Sequence, residues 1–175
     1  MRPDTKQTQL QPHLVKFLLV SAIAFFIGAL HGMLQVLPFV RHWLDSIGSP
    51  YGGPGHMIDP LAHAHINLVG GVVILAMGTT YHLLPIFSGK MIYSLRLVNH
   101  SCWWTSIGVL FFYTTQMVFG IWEGILLLNN DLQGMERVHH FYGPIVASSG
   151  IVMAAGFFIY LINIVLSLKN NTQNS

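Results

Sequence analysis

The stretch "LAHAHINLVGGVVILAMGTTYHLLPIFSG", residues 61–89, contains no Asp, Glu, Lys or Arg. An α-helix needs about 20 apolar residues to cross the hydrocarbon core of a bilayer, so this run is long enough to span one. Three further charge-free runs, 17–40, 97–122 and 138–168, lie on either side of it. Over the whole chain of 175 residues 53% are hydrophobic and 8% charged, against roughly 25% charged in a soluble domain. The fold class read from this pattern is all-α: an integral membrane four-helix bundle with spans at about 14–38, 61–85, 96–128 and 137–168. A transmembrane β-barrel would alternate polar and apolar residues in short segments, and these runs do not.

The polar residues fill what remains. Residues 1–12 read as a flexible N-terminus, 13–168 as the transmembrane domain and 169–175 ("KNNTQNS") as a C-terminal tail. The segment 41–60 is a loop rich in glycine and proline ("GSPYGGPGHMIDP"), and "FSGK" and "NNDLQG" are turns. The first run follows Lys6 and Lys16 but is long for a signal-peptide core and lacks a small-residue cleavage site, so it reads as a retained helix. Four spans put both termini on one side of the membrane. Arg2, Lys6, Lys16, Lys90, Arg96 and Lys169 fall on that side, against Arg41 and Arg137 opposite. Basic residues favour the cytoplasmic face, so both termini are expected to be cytoplasmic, in an inner (plasma) membrane. Orientation accounts for the net charge of +2, and no nucleic-acid partner is needed.

One cysteine, Cys102, excludes an internal disulfide and a cysteine cage for metal. Six acidic residues leave little carboxylate chemistry, whereas ten histidines are many. At about 1.5 Å of rise per residue, His31 ends the first span while His63 and His65 open the second and His139 and His140 open the fourth. Three helices thus bring histidine to one layer, expected toward the outer side. A single histidine near a helix end is accounted for by a carbonyl or a headgroup; five at one level point to a site. Haem iron takes imidazoles from facing helices of a bundle. Zinc or copper accepts histidine too, but this layer is poor in the acids that catalytic zinc sites usually add, so haem b is the favoured cofactor. Small residues (Gly28, Gly32, Ala62, Ala64 and Gly143) flank these histidines and suit either a porphyrin or plain helix packing. Residues two apart on a helix point about 200° apart and neighbours about 100°, so only one of each pair is a ligand. His82 and His100, from adjacent antiparallel spans near the other face, are a second candidate site for haem or metal.

Asn67 is read as a partner of a backbone carbonyl or solvent. Glu123, the one acid inside a span, is read as a proton carrier, a partner of His31 or Arg137, or a residue reaching the interface. Trp43, Trp103, Trp104, Trp122 and Tyr142 read as an aromatic belt. Met33 and Met77 read as packing residues, and Pro144 as a kink in the fourth helix.

At this point a family resemblance enters. "AHAHINLVGGVVILAMGTTYHLLP" resembles the second helix of haem–copper oxidase subunit I, most of all the nitric oxide reductase branch, whose low-spin haem ligand opens that helix. "HINL" begins at His65 and "YHLLP" at Tyr81; the resemblance implies His65 as an axial ligand, with His63 as its alternative. "GALHGMLQVLP" is similar to the family's first helix and "SLRLVNHSCWWTSIGVLFFYTTQMVFGIWEG" to its third. Gly71 stands where the family pattern carries a tryptophan. The family's remaining haem and active-site metal ligands lie on the sixth, seventh and tenth helices, beyond these four. The resemblance therefore implies a short stand-alone relative that does not reduce oxygen or nitric oxide by itself. Its second axial ligand would be His140 or His139, then His31, or would come from a partner or a homodimer mate.

The functional expectation is haem-b electron transfer, alone or within a larger oxidase-like respiratory complex, with quinol or a cytochrome as electron partner. The alternatives are a haem carrier, gas sensor or oxidase assembly factor without turnover, or a histidine-based metal-binding membrane protein.

Overall fold

A computed structural model describes residues 11–169, and among these every regular element is helical. Four helices are long and apolar enough to cross a membrane: Pro12–Gln35, Gly53–Ser88, Leu95–Leu128 and Leu132–Lys169. The first consists of a tight turn, Pro12–Leu14, running into α1 (Val15–Gln35). The others are α3 (Gly53–Ser88), α4 (Leu95–Leu128) and α5 (Leu132–Lys169). The readings of a flexible N-terminus and a C-terminal tail fall almost wholly on residues outside those described.

The segment 41–60, expected as a loop, is partly helical. Pro38 opens a short helix, α2 (Pro38–Ser46), because its fixed φ and missing N–H suit a first helical position. Leu44 and the following Ile47 are buried against Ile58, while Phe39 stays exposed. Arg41 ties this helix down: its guanidinium donates to Asp45 at 2.6 and 2.8 Å, to Asp59 at 2.7 Å and to Ser49 at 2.8 Å. These bonds, first to Asp45 and then to Asp59, hold the Arg41 charge even more firmly than usual.

α3 is not one regular rod. Asp59 has extended dihedrals, φ −132° and ψ 111°, as the residue before a proline tends to, and the helix bends there before Pro60. Met57–Ala62 and Ile66–Val73 are wound wide, with i→i+5 hydrogen bonds, and Ile74–Ser88 is regular α-helix ending on left-handed Gly89. Such wide turns are uncommon and recur at functional sites. α4 begins at Ser94, whose side chain accepts from Leu97 N, and runs unbroken to Leu128. α5 runs unbroken through Pro144.

Small residues set the packing. α1 lies along α3, and α5 lies almost wholly along α4. A Cβ on Gly108 would stand 2.5 Å from the backbone N of Met153, and one on Gly78 would stand 2.7 Å from Phe17 Cβ. Without a hydrophobic drive inside lipid, such close backbone approach is what lets membrane helices associate. The main core, Leu14, Phe17, Ile74, Met77, Tyr81, Val98, Cys102 and Val109, joins α1, α3 and α4. Helix sides left over are exposed and apolar, as at Phe26, Leu68, Ile107, Phe141 and Ile151. They suit acyl chains.

The up-and-down order gathers Lys16, Lys90, Arg96 and Lys169 at one end: Lys16 bonds Asn99, and Lys90 bonds the Leu168 carbonyl.

Candidate functional site

His65 opens the upper part of α3. Its Nδ1 lies 2.8 Å from the carbonyl oxygen of Leu61. A carbonyl only accepts, so Nδ1 carries the proton and Nε2 keeps its lone pair. The ring packs at 4.2 Å between centroids on Phe112 of α4. Near it on α3, Ala64 and Leu68 are exposed. Metal-bound histidines characteristically anchor the second ring nitrogen on a carbonyl or carboxylate, which fixes tautomer and orientation. In its donor chemistry His65 therefore fits an axial ligand.

His63 faces elsewhere. Its ring stands 5.4 Å from that of His31 on α1. His31 is buried, with its Nε2 3.0 Å from Gln35 Nε2 and its Nδ1 3.4 Å from the hydroxyl of Tyr113 on α4. A Cβ on Gly32 would come within 3.0 Å of His63 Nε2, and one on Gly28 would fall on the Asn67 amide. Both glycines are therefore used in seating α3 on α1. Asn67 donates to the His63 carbonyl at 2.9 Å, one of the two roles expected for it.

The fourth-span histidines lie on α5. His139 Nδ1 is 3.1 Å from both carboxylate oxygens of Glu123, which is itself buried at 3% exposure. Glu123 thus neither reaches the interface nor pairs with His31 or Arg137; α4 turns it inward onto α5. The pair edges a cleft of about 550 Å³ with Gly53, Met57, Met135 and Glu136. His140 is exposed, edge-on to Phe141. The geometry thus joins His31 to His63 and His139 to Glu123, while His65 stands by itself on Phe112. Among the described residues no three His, Cys, Asp or Glu side chains converge on one point. His82 and His100 are both exposed, and His82 Nδ1 donates to Gln11 Oε1 at 3.0 Å.

Of the residues read as an aromatic belt, Trp103, Trp104 and Trp122 are exposed. Tyr142 instead turns inward and donates to Gln116 Oε1 at 2.9 Å. Gln35, Phe112 and Tyr113 had no place in the sequence reading. Gln35 carried one signal, its spacing of four from His31, which puts both on one helix face.

The description "cytochrome c and quinol oxidase polypeptide I" fits residues 60–153, more than half of the chain and the whole of the His65 region. The chain belongs to that family. It is 25% identical over 161 residues to the Cbb3-type cytochrome c oxidase subunit CcoN1 of Stutzerimonas stutzeri, covering 86% of this chain and 31% of that protein. It is 29% identical over 147 residues to cytochrome c oxidase subunit 1 of Rhodobacter capsulatus, covering 74% of this chain and 27% of the relative. It is 28% identical over 120 residues to the bacteroid cytochrome c oxidase subunit 1 homolog of Bradyrhizobium diazoefficiens, covering 63% and 20%. The chain thus spans between a fifth and a third of these relatives' length. As a polypeptide I relative with four helices long and apolar enough to cross a membrane, it is a multi-pass membrane protein.

Proposed function

We propose that this chain binds haem b through His65 and serves electron transfer in a plasma-membrane redox complex. The single observation behind this reading is the Nδ1–H bond from His65 to the Leu61 carbonyl, which leaves Nε2 free and aimed by a fixed ring. Family membership supports it, since the matched segment includes His65. When bound, haem b supplies one-electron redox chemistry. The protein's part is to fix the imidazole, with Phe112 holding its ring, and to keep the site in apolar surroundings. His139 is engaged with Glu123 and α5 packs mainly on α4, which favours a second ligand donated by another chain rather than by His139, His140 or His31. The exposed apolar surface at Ala64 and Leu68 would then be covered in the complex. Glu123 and His139, at the mouth of their cleft, are suited to passing a proton. The four basic residues gathered at one end support cytoplasmic termini and an outward-facing histidine layer.

The test is an optical spectrum, with haem stoichiometry, of the protein purified after expression with ample haem. Sharp α and β bands of a six-coordinate b-type haem are expected on reduction, and His65→Ala should abolish them. Absence of a Soret band would defeat the haem reading, and a spectrum unchanged in His65→Ala would defeat this ligand. Oxidation or reduction by quinol would separate electron transfer from storage.

A further inference from the structure

The haem reading leaves His31 and His63 without a task, yet two helices are shaped to bring them together. We propose that His31, His63 and Tyr113 form a site for one divalent transition-metal ion, tightest for Cu²⁺ and weaker for Zn²⁺, separate from His65.

Two distances carry this. Imidazoles bound to one tetrahedral ion at about 2.0–2.1 Å have ring centroids about 5 Å apart, and those of His31 and His63 are 5.4 Å apart. Two donor atoms on the same ion stand about 3.3 Å apart, and His31 Nδ1 and the Tyr113 hydroxyl are 3.4 Å apart. That spacing exceeds the roughly 2.7–3.2 Å of a well-formed hydrogen bond, so each group lacks a good partner in the other.

The surroundings agree. Gln35 Nε2 donates to the far nitrogen of His31 at 3.0 Å, so the ring proton sits on Nδ1, toward Tyr113; an ion bound at Nδ1 moves that proton to Nε2, with the Gln35 amide turned over to accept it. Among the described residues neither ring nitrogen of His63 makes a hydrogen bond, and Gly32 supplies the space its Nε2 occupies. Two nitrogens and a phenol oxygen suit Cu²⁺ first and Zn²⁺ next in the usual order of affinities, with a further position for water.

The full chain, purified in detergent and stripped with chelator, is titrated with Cu²⁺ alone and followed by calorimetry and electron paramagnetic resonance. One Cu²⁺ per chain is expected, with hyperfine coupling from two imidazole nitrogens and displacement only by excess Zn²⁺. His31→Gln and His63→Gln should each weaken binding about 100-fold or more, and Gln35→Leu about 10-fold, the size typical of a partner behind the ligand. His65→Gln and the double variant His42→Gln/His56→Gln should bind as the parent does. Absence of stoichiometric Cu²⁺, or binding unchanged in His63→Gln, would overturn the site. His63 is only half-buried, so that variant decides the matter even if His31→Gln fails to fold. The site stands or falls independently of haem, since haem binding is read at His65.

Discussion

The two ends of the bundle handle polar side chains in opposite ways. At the end where α3 closes, Tyr81 is fully buried, its hydroxyl 3.2 Å from Ser101 Oγ and 3.4 Å from Asn163 Nδ2. Asn163 in turn donates to the Ser94 carbonyl at 3.1 Å and accepts from Ser94 N at 3.2 Å; Ser167 accepts from Tyr93 N at 2.9 Å. Phe17 and Tyr160 pack edge-on against the Tyr81 ring. Each of these polar groups has its partner, and the helix there is regular. At the histidine end, α3 is bent and wound wide, and His63 has no hydrogen-bond partner in the bundle among the described residues. A satisfied buried network holds a fold together. A loose one keeps donor atoms free for something else.

This contrast predicts that damage at the tyrosine end costs stability, and damage at the histidine end costs binding. Asn163→Ala should have the largest structural effect, about 3 kcal/mol, because it leaves the Ser94 N–H without its acceptor and opens a gap beside the buried Tyr81 hydroxyl; a thermal melt in detergent measures it, and metal and haem content per folded chain should not change. Gly78→Ala should follow at about 2 kcal/mol, since the added methyl meets Phe17 and forces α1 and α3 apart. Arg41→Ala should cost about 1 kcal/mol or less, as its ion pairs are partly exposed, but should speed proteolysis between α2 and α3. His63→Gln should be smallest in stability, about 0.5 kcal/mol or less, while removing Cu²⁺ binding. A melt in which His63→Gln falls as far as Asn163→Ala would break the contrast and make the histidine end structural.

Much of this architecture is legible in the chain. Four charge-free runs can only be buried in lipid or in each other; α3, α4 and α5 are three of those runs lengthened by polar shoulders, and α1 is the first of them, ended at Gln35 before Pro38. Pro38, expected to end the first span, opens α2, and Pro60 marks the bend in α3; α2 is hidden in a segment whose glycines signal a loop. The histidine layer is harder to read. Depth along a helix follows from counting residues, but facing does not where winding changes: the wide turns of α3 have no sequence signature, so the partition of His63 toward α1 and His65 toward α4 needs the structure. Glu123 illustrates the same limit. Its depth was legible, but its pairing with His139 depends on how α5 is rotated against α4, which α5's apolar residues, spread around its whole circumference, leave undetermined.

The wide winding at Ile66–Val73 has one more consequence. A regular helix advances about 100° per residue, and a wide turn fits one extra residue into nearly the same angle, so it keeps the two halves of α3 in phase. Deleting one residue there would leave a continuous, ordinary helix, with His63 still toward α1 and His65 still toward Phe112. Adding one residue to the regular stretch Ile74–Ser88 would instead turn the two ends against each other by about 100°. In this helix the wide turn is where a change of length is absorbed.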